Sequence, residues 1–193
     1  YERDGAEVFA IEMAGHSQTS LFDAVFAGFE RAGHALEPNR EKITSTDPFD
    51  LDAGQGRLAA EVMWRMFMAL SRFKAYLNGY QTPLVLWPPG FDLSTLWFTE
   101  GSVEYQDPHL NFGFSPYTAD VGQPYVYFYA WPAPDGLGER LPALWTWQTG
   151  WRTPGGVLRY SQLLDERDPE GMVVEALLEA TAIASAMLRE AQG

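Results

Sequence analysis

The chain contains no cysteine. That excludes disulfides, thiolate metal ligands and thiol nucleophiles, and it is compatible with any redox compartment. Histidine is scarce: His16, His34 and His109 are the only three, a poor supply for a transition-metal site. Positive charge is scarce too, with 13 Lys and Arg against 26 Asp and Glu, and lysine stands only at Lys42 and Lys74. The net charge of −13 repels a phosphate backbone and an anionic membrane surface, so neither nucleic acid nor membrane is expected as a partner. No apolar run approaches the roughly 18–20 residues needed to span a bilayer. No basic stretch followed by an apolar one opens the sequence, so a cytoplasmic location is expected. There is also no Gly-rich phosphate loop, no Gly-x-Ser-x-Gly elbow and no His-Glu-x-x-His helix.

What is present is an ordinary globular composition, 46% apolar and 20% charged, which argues against disorder or a fibre. A length of 193 residues suits one domain. Ala6–Met13 alternates loosely and reads as a strand. Ser20-x-x-Asp23 has the form of a capping box, with Leu21, Phe22, Val25, Phe26 and Phe29 on one helical face and Gly33 as a left-handed stop, so a helix is expected over 20–32. Residues 34–55 lack periodicity and read as an ordered connection. Within them, Asp47, Asp50 and Asp52 superficially resemble a calcium loop, but the required Gly and Glu positions hold Asp52 and Leu58. A turn with a helix N-cap is the simpler reading. The longest helix is expected over 57–78, with a broad apolar face from Leu58 to Leu77 and Asn78-Gly79 as its end.

The chain is organised around residues 83–131, where short aromatic and β-branched runs are separated by Pro, Gly, Asn and Asp, the pattern of strands joined by turns. Phe91–Thr99 alternates, placing Asp92, Ser94, Leu96 and Phe98 on one side. Leu110, Phe112 and Phe114 alternate with Asn111, Gly113 and Ser115. Tyr125, Tyr127, Tyr129 and Trp131 alternate with Val126, Phe128 and Ala130. Both faces of that last run are hydrophobic, which predicts a central strand. Leu144–Gln148 reads as a strand, Thr153-Pro154-Gly155-Gly156 as a tight turn, and Val157–Tyr160 as the return. Asp168-Pro169-Glu170 is a strong helix start.

Ser71-Arg72-Phe73-Lys74, Gly90-Phe91-Asp92-Leu93, Gly113-Phe114-x-Pro116 and Tyr127-Phe128-Tyr129-Ala130-Trp131-Pro132-x-Pro134, with Asp47-Pro48-Phe49 upstream, resemble an uncharacterised bacterial family, the domain-of-unknown-function family numbered 5996. The resemblance covers nearly the whole chain and implies that family members carry more sequence before Tyr1. It implies no particular activity.

Three places can carry chemistry. If residues 107–111 are extended, Asp107, His109 and Asn111 project to one side, as an oriented general base or as ligands for a hard or borderline metal. The bland alternative is a turn in which Asp107 caps backbone N–H groups. Asp92 lies between large apolar residues and requires a partner, for which Arg72 or backbone N–H groups are the candidates; a structural ion pair and a site carboxylate both remain open. Tyr125, Tyr127, Tyr129 and Trp131 either pack beneath a helix or wall a pocket for a planar or sugar-like ligand. The reading is therefore a single α+β domain, a mostly antiparallel aromatic-rich sheet with the helices on one face. Its expected function is a small-molecule-binding or enzymatic pocket formed by Tyr105, His109, Asn111 and the tyrosine face. The alternative is a non-catalytic, self-associating interaction module. No cofactor and no metal is expected. His109 is expected in a cleft touching one of these tyrosines, and its replacement by Ala is expected to cost little stability.

Overall fold

A computed structural model describes residues 1–88 and 90–190. Its contacts divide the chain into two compact units, 1–57 and 58–193.

The first unit opens with a short hairpin of β1 (Glu2–Arg3) and β2 (Ala6–Glu7). The strand expected over 6–13 stops after two residues. Beyond it the chain is tied to Tyr1, whose N-terminal ammonium donates to the Phe9 carbonyl at 2.7 Å, and the Phe9 ring packs 5.3 Å from Phe29 and 5.6 Å from Tyr1. Helix α1 spans Gln18–Arg31. Its cap is Ser17, not Ser20. The Ser17 hydroxyl accepts from the Ser20 N–H at 3.2 Å, and the Ser20 hydroxyl accepts from the Ser17 N–H at 2.9 Å. Ser20 is thus the third helical residue of the capping box, where its short hydroxyl does the work usually given to Glu or Gln. Gly28 is buried in this helix against Phe9, whose ring a Cβ there would meet at 2.6 Å. The connection after α1 is tied back to it: the Gln18 side-chain oxygen accepts from the N–H groups of Thr44 and Ser45, and Arg40 pairs with Asp23.

Helix α2 (Ala53–Lys74) begins four residues earlier than its periodicity predicts. Asp52 provides the N-cap, its carboxylate accepting from the N–H groups of Gly54 at 2.7 Å and Gln55 at 2.9 Å. Two glycines in the first turn hide this start from a propensity reading. The helix also ends earlier. Tyr76 and Leu77 donate to Phe73 and Lys74, a tightening to i→i−3 bonds that closes the α-helix before Asn78-Gly79.

The second unit is built on a six-stranded sheet. Its strands are β3 (Val85–Trp87), β4 (Asp92–Phe98), β5 (His109–Ser115), β6 (Tyr125–Trp131), β7 (Thr146–Gln148) and β8 (Gly155–Arg159), in the order β3-β4-β5-β6-β8-β7. Every pairing is antiparallel. The central place of β6 follows from its two apolar faces. Gly155 and Gly156 belong to β8 and not to a turn, because the β7–β8 register pairs them with Gln148 and Trp147. A short helix α3 (Leu137–Arg140) precedes β7, and a 3₁₀ turn (Tyr160–Leu163) follows β8. Helix α4 (Pro169–Glu190) starts where expected, with Asp168 accepting from the Gly171 N–H at 2.9 Å.

One face of the sheet carries the core. Leu110, Phe112 and Phe114 of β5 and Val126, Phe128 and Ala130 of β6 pack with Met66, Leu70 and Phe73 of α2 and Val173, Leu177 and Leu188 of α4. The Phe73 and Phe112 rings meet edge-on at 4.7 Å. Each of these side chains larger than Ala130 contributes about 1.5–3 kcal/mol through burial. The buried arc of α2 is narrower than its apolar residues suggest, since Leu58, Trp64 and Met68 are exposed. Helix α4 is long and apolar enough to cross a membrane by length and composition, in contrast to the expectation of no such run. Its apolar residues are instead spent on the core. The fold class is α+β, with α2 and α4 on one face of an antiparallel sheet.

Candidate functional site

The alternation that sends Leu110, Phe112 and Phe114 to the helices sends His109, Asn111, Gly113 and Ser115 to the opposite face. There they pair with Trp131, Tyr129, Tyr127 and Tyr125 in turn. The tyrosine row therefore does not lie beneath a helix. It walls a cleft of about 390 Å³, together with Tyr105 and Tyr117 and the loop residues Trp151, Arg152 and Thr153. A second concavity of about 510 Å³ shares Asp92, Tyr127 and Tyr129 with it and is lined further by Trp87, Glu104 and Asn111.

Gly113 shapes the wall. A Cβ on it would meet Tyr127 Cζ at 2.4 Å and the Leu93 carbonyl oxygen at 2.5 Å. Without that Cβ, the Tyr127 ring lies across β5 and reaches the next strand, where its hydroxyl donates to Asp92 Oδ2 at 2.9 Å. Asp92 thus has neither of its expected partners. It is half-buried, Arg72 is exposed, and the partner is a tyrosine from two strands away. Burial pushes the Tyr127 pKa well up, the Asp92 charge adds to this, and Tyr127 remains a phenol that donates. Tyr129 is raised as well, first by burial and then by Tyr105. Its hydroxyl accepts from the Asn111 amide at 2.8 Å. Lys74, from the helix side, reaches Thr95 Oγ1 at 2.7 Å and finds no carboxylate among the described residues; burial lowers its pKa.

The Asp107–His109 pair does not form as a carboxylate–imidazole dyad. Asp107 turns back over Gly101 and accepts from the N–H groups of Ser102 at 2.7 Å and Val103 at 2.8 Å. Those two bonds, Val103 first, hold its carboxyl below the usual range. His109 Nδ1 donates to the Asp107 backbone carbonyl at 2.8 Å. The ring sits 5.2 Å from Phe98 and 5.9 Å from Tyr105 and is 0% exposed. It touches a tyrosine as expected, but it lines neither cleft, because Tyr105 covers it. Trp131 likewise supports Tyr105 edge-on at 5.3 Å from outside the cleft. Of the polar candidates, Asp92 and Asn111 reach a concavity and Asp107 and His109 do not. Sequence reasoning missed Tyr117, Trp151, Arg152 and Thr153, which lie in loops where periodicity is silent. Trp151 is fixed by its indole N–H, which donates to Asp120 at 2.6 Å.

Backbone strain falls at the same place. Phe91 and Tyr105, the two non-glycine residues of the second unit with positive φ among those described, take +53° and +60° and flank the cleft. Such conformations cost roughly 1–2 kcal/mol each and cluster at ligand sites.

Fold and site together define an α+β protein whose antiparallel sheet carries helices on one face and an aromatic cleft on the other. The chain belongs to the family of unknown function DUF5996, which it matches over residues 2–190. No curated protein and no solved structure matches it.

Proposed function

We propose that the protein binds a small organic molecule in the cleft walled by Tyr105, Tyr125, Tyr127 and Tyr129. The observation that carries this reading is the concavity itself: about 390 Å³ of space over an aromatic wall, with one carboxylate, Asp92, aimed into it. Small-molecule sites have this size and this mix of apolar wall and a few polar groups. Rings on rigid strands present contact area at low entropic cost. Binding without chemistry is the better fit, since His109 cannot reach a ligand and Tyr127 is locked as a donor.

A thermal-shift screen of metabolites tests the proposal. A ligand at ~100 times its dissociation constant adds about 2.7 kcal/mol. That stabilisation should shrink in Tyr117→Ser, which removes an exposed rim residue. A shift that survives Tyr117→Ser and Asp92→Asn unchanged would put the ligand elsewhere. The second reading, a self-associating module, draws on Trp87, Phe91 and Tyr117, which are 50%, 61% and 61% exposed around the same face. Sedimentation at rising concentration separates the two: the cleft reading expects ligand response in the monomer.

A further inference from the structure

The cleft contains two opposite charges that do not pair. Asp92 and Arg152 both line it, yet no ion pair joins either of them to any described residue. What sets this pair apart is that the two opposite charges line one cleft. Each charge is held in place by an aromatic neighbour. The Tyr127 hydroxyl fixes Asp92 Oδ2, and Oδ1 accepts from no described residue. The Arg152 guanidinium lies over the Tyr105 ring at 5.4 Å, which anchors the cation through its face and leaves its N–H donors open. Two charges fixed apart in one partly desolvated cleft are preorganised for a ligand that bridges them.

We infer that the ligand is a small zwitterion, an amino-acid-like molecule whose ammonium group meets Asp92 and whose carboxylate meets Arg152, with its body against the tyrosine wall. This rests on the binding reading above and narrows it to a chemical class. A carboxylate suits Arg152, since the guanidinium presents paired donors to its two oxygens. An ammonium group suits Asp92 Oδ1 and gains further from the surrounding ring faces.

Isothermal titration with matched compounds tests the inference. Phenylalanine is compared with phenethylamine and 3-phenylpropionate, and 6-aminohexanoate with hexylamine and hexanoate; methyl glucoside serves as a neutral probe. One zwitterion should bind at least tenfold more tightly than both of its single-charge counterparts. Asp92→Asn, which keeps an acceptor for Tyr127, should erase its advantage over the carboxylate. Arg152→Met, at an exposed residue, should erase its advantage over the amine. Thermal melts of both variants establish that they are folded. A neutral or singly charged compound that binds as tightly as the zwitterion, with loss of binding in Tyr117→Ser, overturns the inference and leaves the cleft reading standing. Failure of these probes and of every compound in the metabolite screen overturns both.

Discussion

Replacing Gly113 with Ala tests how the aromatic wall is built. The new Cβ would stand 2.4 Å from Tyr127 Cζ and 2.5 Å from both the Tyr127 hydroxyl and the Leu93 carbonyl oxygen. Favourable carbon–carbon contacts lie near 3.5–4.0 Å, so Tyr127 must lift by over an ångström. The Leu93 oxygen is main chain within the β4–β5 pairing, and it cannot swing away as a side chain could. Overpacking of this kind costs about 1–3 kcal/mol. Lifting Tyr127 also breaks its bond to Asp92, worth about 1 kcal/mol once the half-exposure of Asp92 is allowed for. The reduced freedom of the unfolded chain returns about 0.4–1 kcal/mol. The net expectation is a loss of about 1–4 kcal/mol, or roughly 2–16 °C in melting temperature. Urea melts of Gly113→Ala, Tyr127→Ala and the double variant measure it. In the double variant the Gly113 substitution should cost at least about 1 kcal/mol less, because the ring it displaces is gone. A cost below about 0.5 kcal/mol, or an equal cost in both backgrounds, would refute the claim that Gly113 exists to let Tyr127 cross the strand.

Burial raises the pKa of Tyr127 and Tyr129 above the ordinary 10.0. Below that pH both folded and unfolded states keep the protons and nothing changes. Above it the unfolded chain releases them first, so stability falls as pH rises past about 10. Absorbance at 295 nm should show Tyr127 and Tyr129 ionising only as the protein unfolds. His109→Ala, expected from sequence to be mild, should instead cost about 2–4 kcal/mol, as for other large buried side chains, with the urea midpoint as readout. Phe91 is 61% exposed at φ +53°, so Phe91→Gly should be more stable than Phe91→Ala by about 1 kcal/mol in thermal melts, since only glycine relieves the strain.

The parts of this structure that were legible in the sequence are those set by alternation and by strong end signals. Two apolar faces put β6 in the middle of the sheet, and Asp168-Pro169-Glu170 started α4 at the expected residue. The split of β5 into a helix-facing and a tyrosine-facing side also followed from period two. Errors arose where two similar residues competed or where the decisive partner was distant. Ser17 and Ser20 are both serines, and only the backbone shows which one caps. Tyr127 is 35 residues from Asp92 and meets it only because Gly113 is bare between them. Asp107 satisfied its own turn, which removed it from any dyad with His109. Trp151 and Arg152 enter the cleft from a loop, where neither alternation nor helical period marks a side chain's direction.

The central claim is that a small molecule enters the tyrosine cleft, and Trp151 reports on it directly. Its indole N–H, fixed on Asp120, gives one of seven tryptophan side-chain signals in a nitrogen–proton correlation spectrum, and Trp151→Phe assigns it. On titration with the compound that stabilises the protein most, the Trp151 signal should shift in a saturable way. That of Trp64, exposed on α2, should stay where it is. A stabilising compound that moves Trp64 and leaves Trp151 untouched would contradict the account.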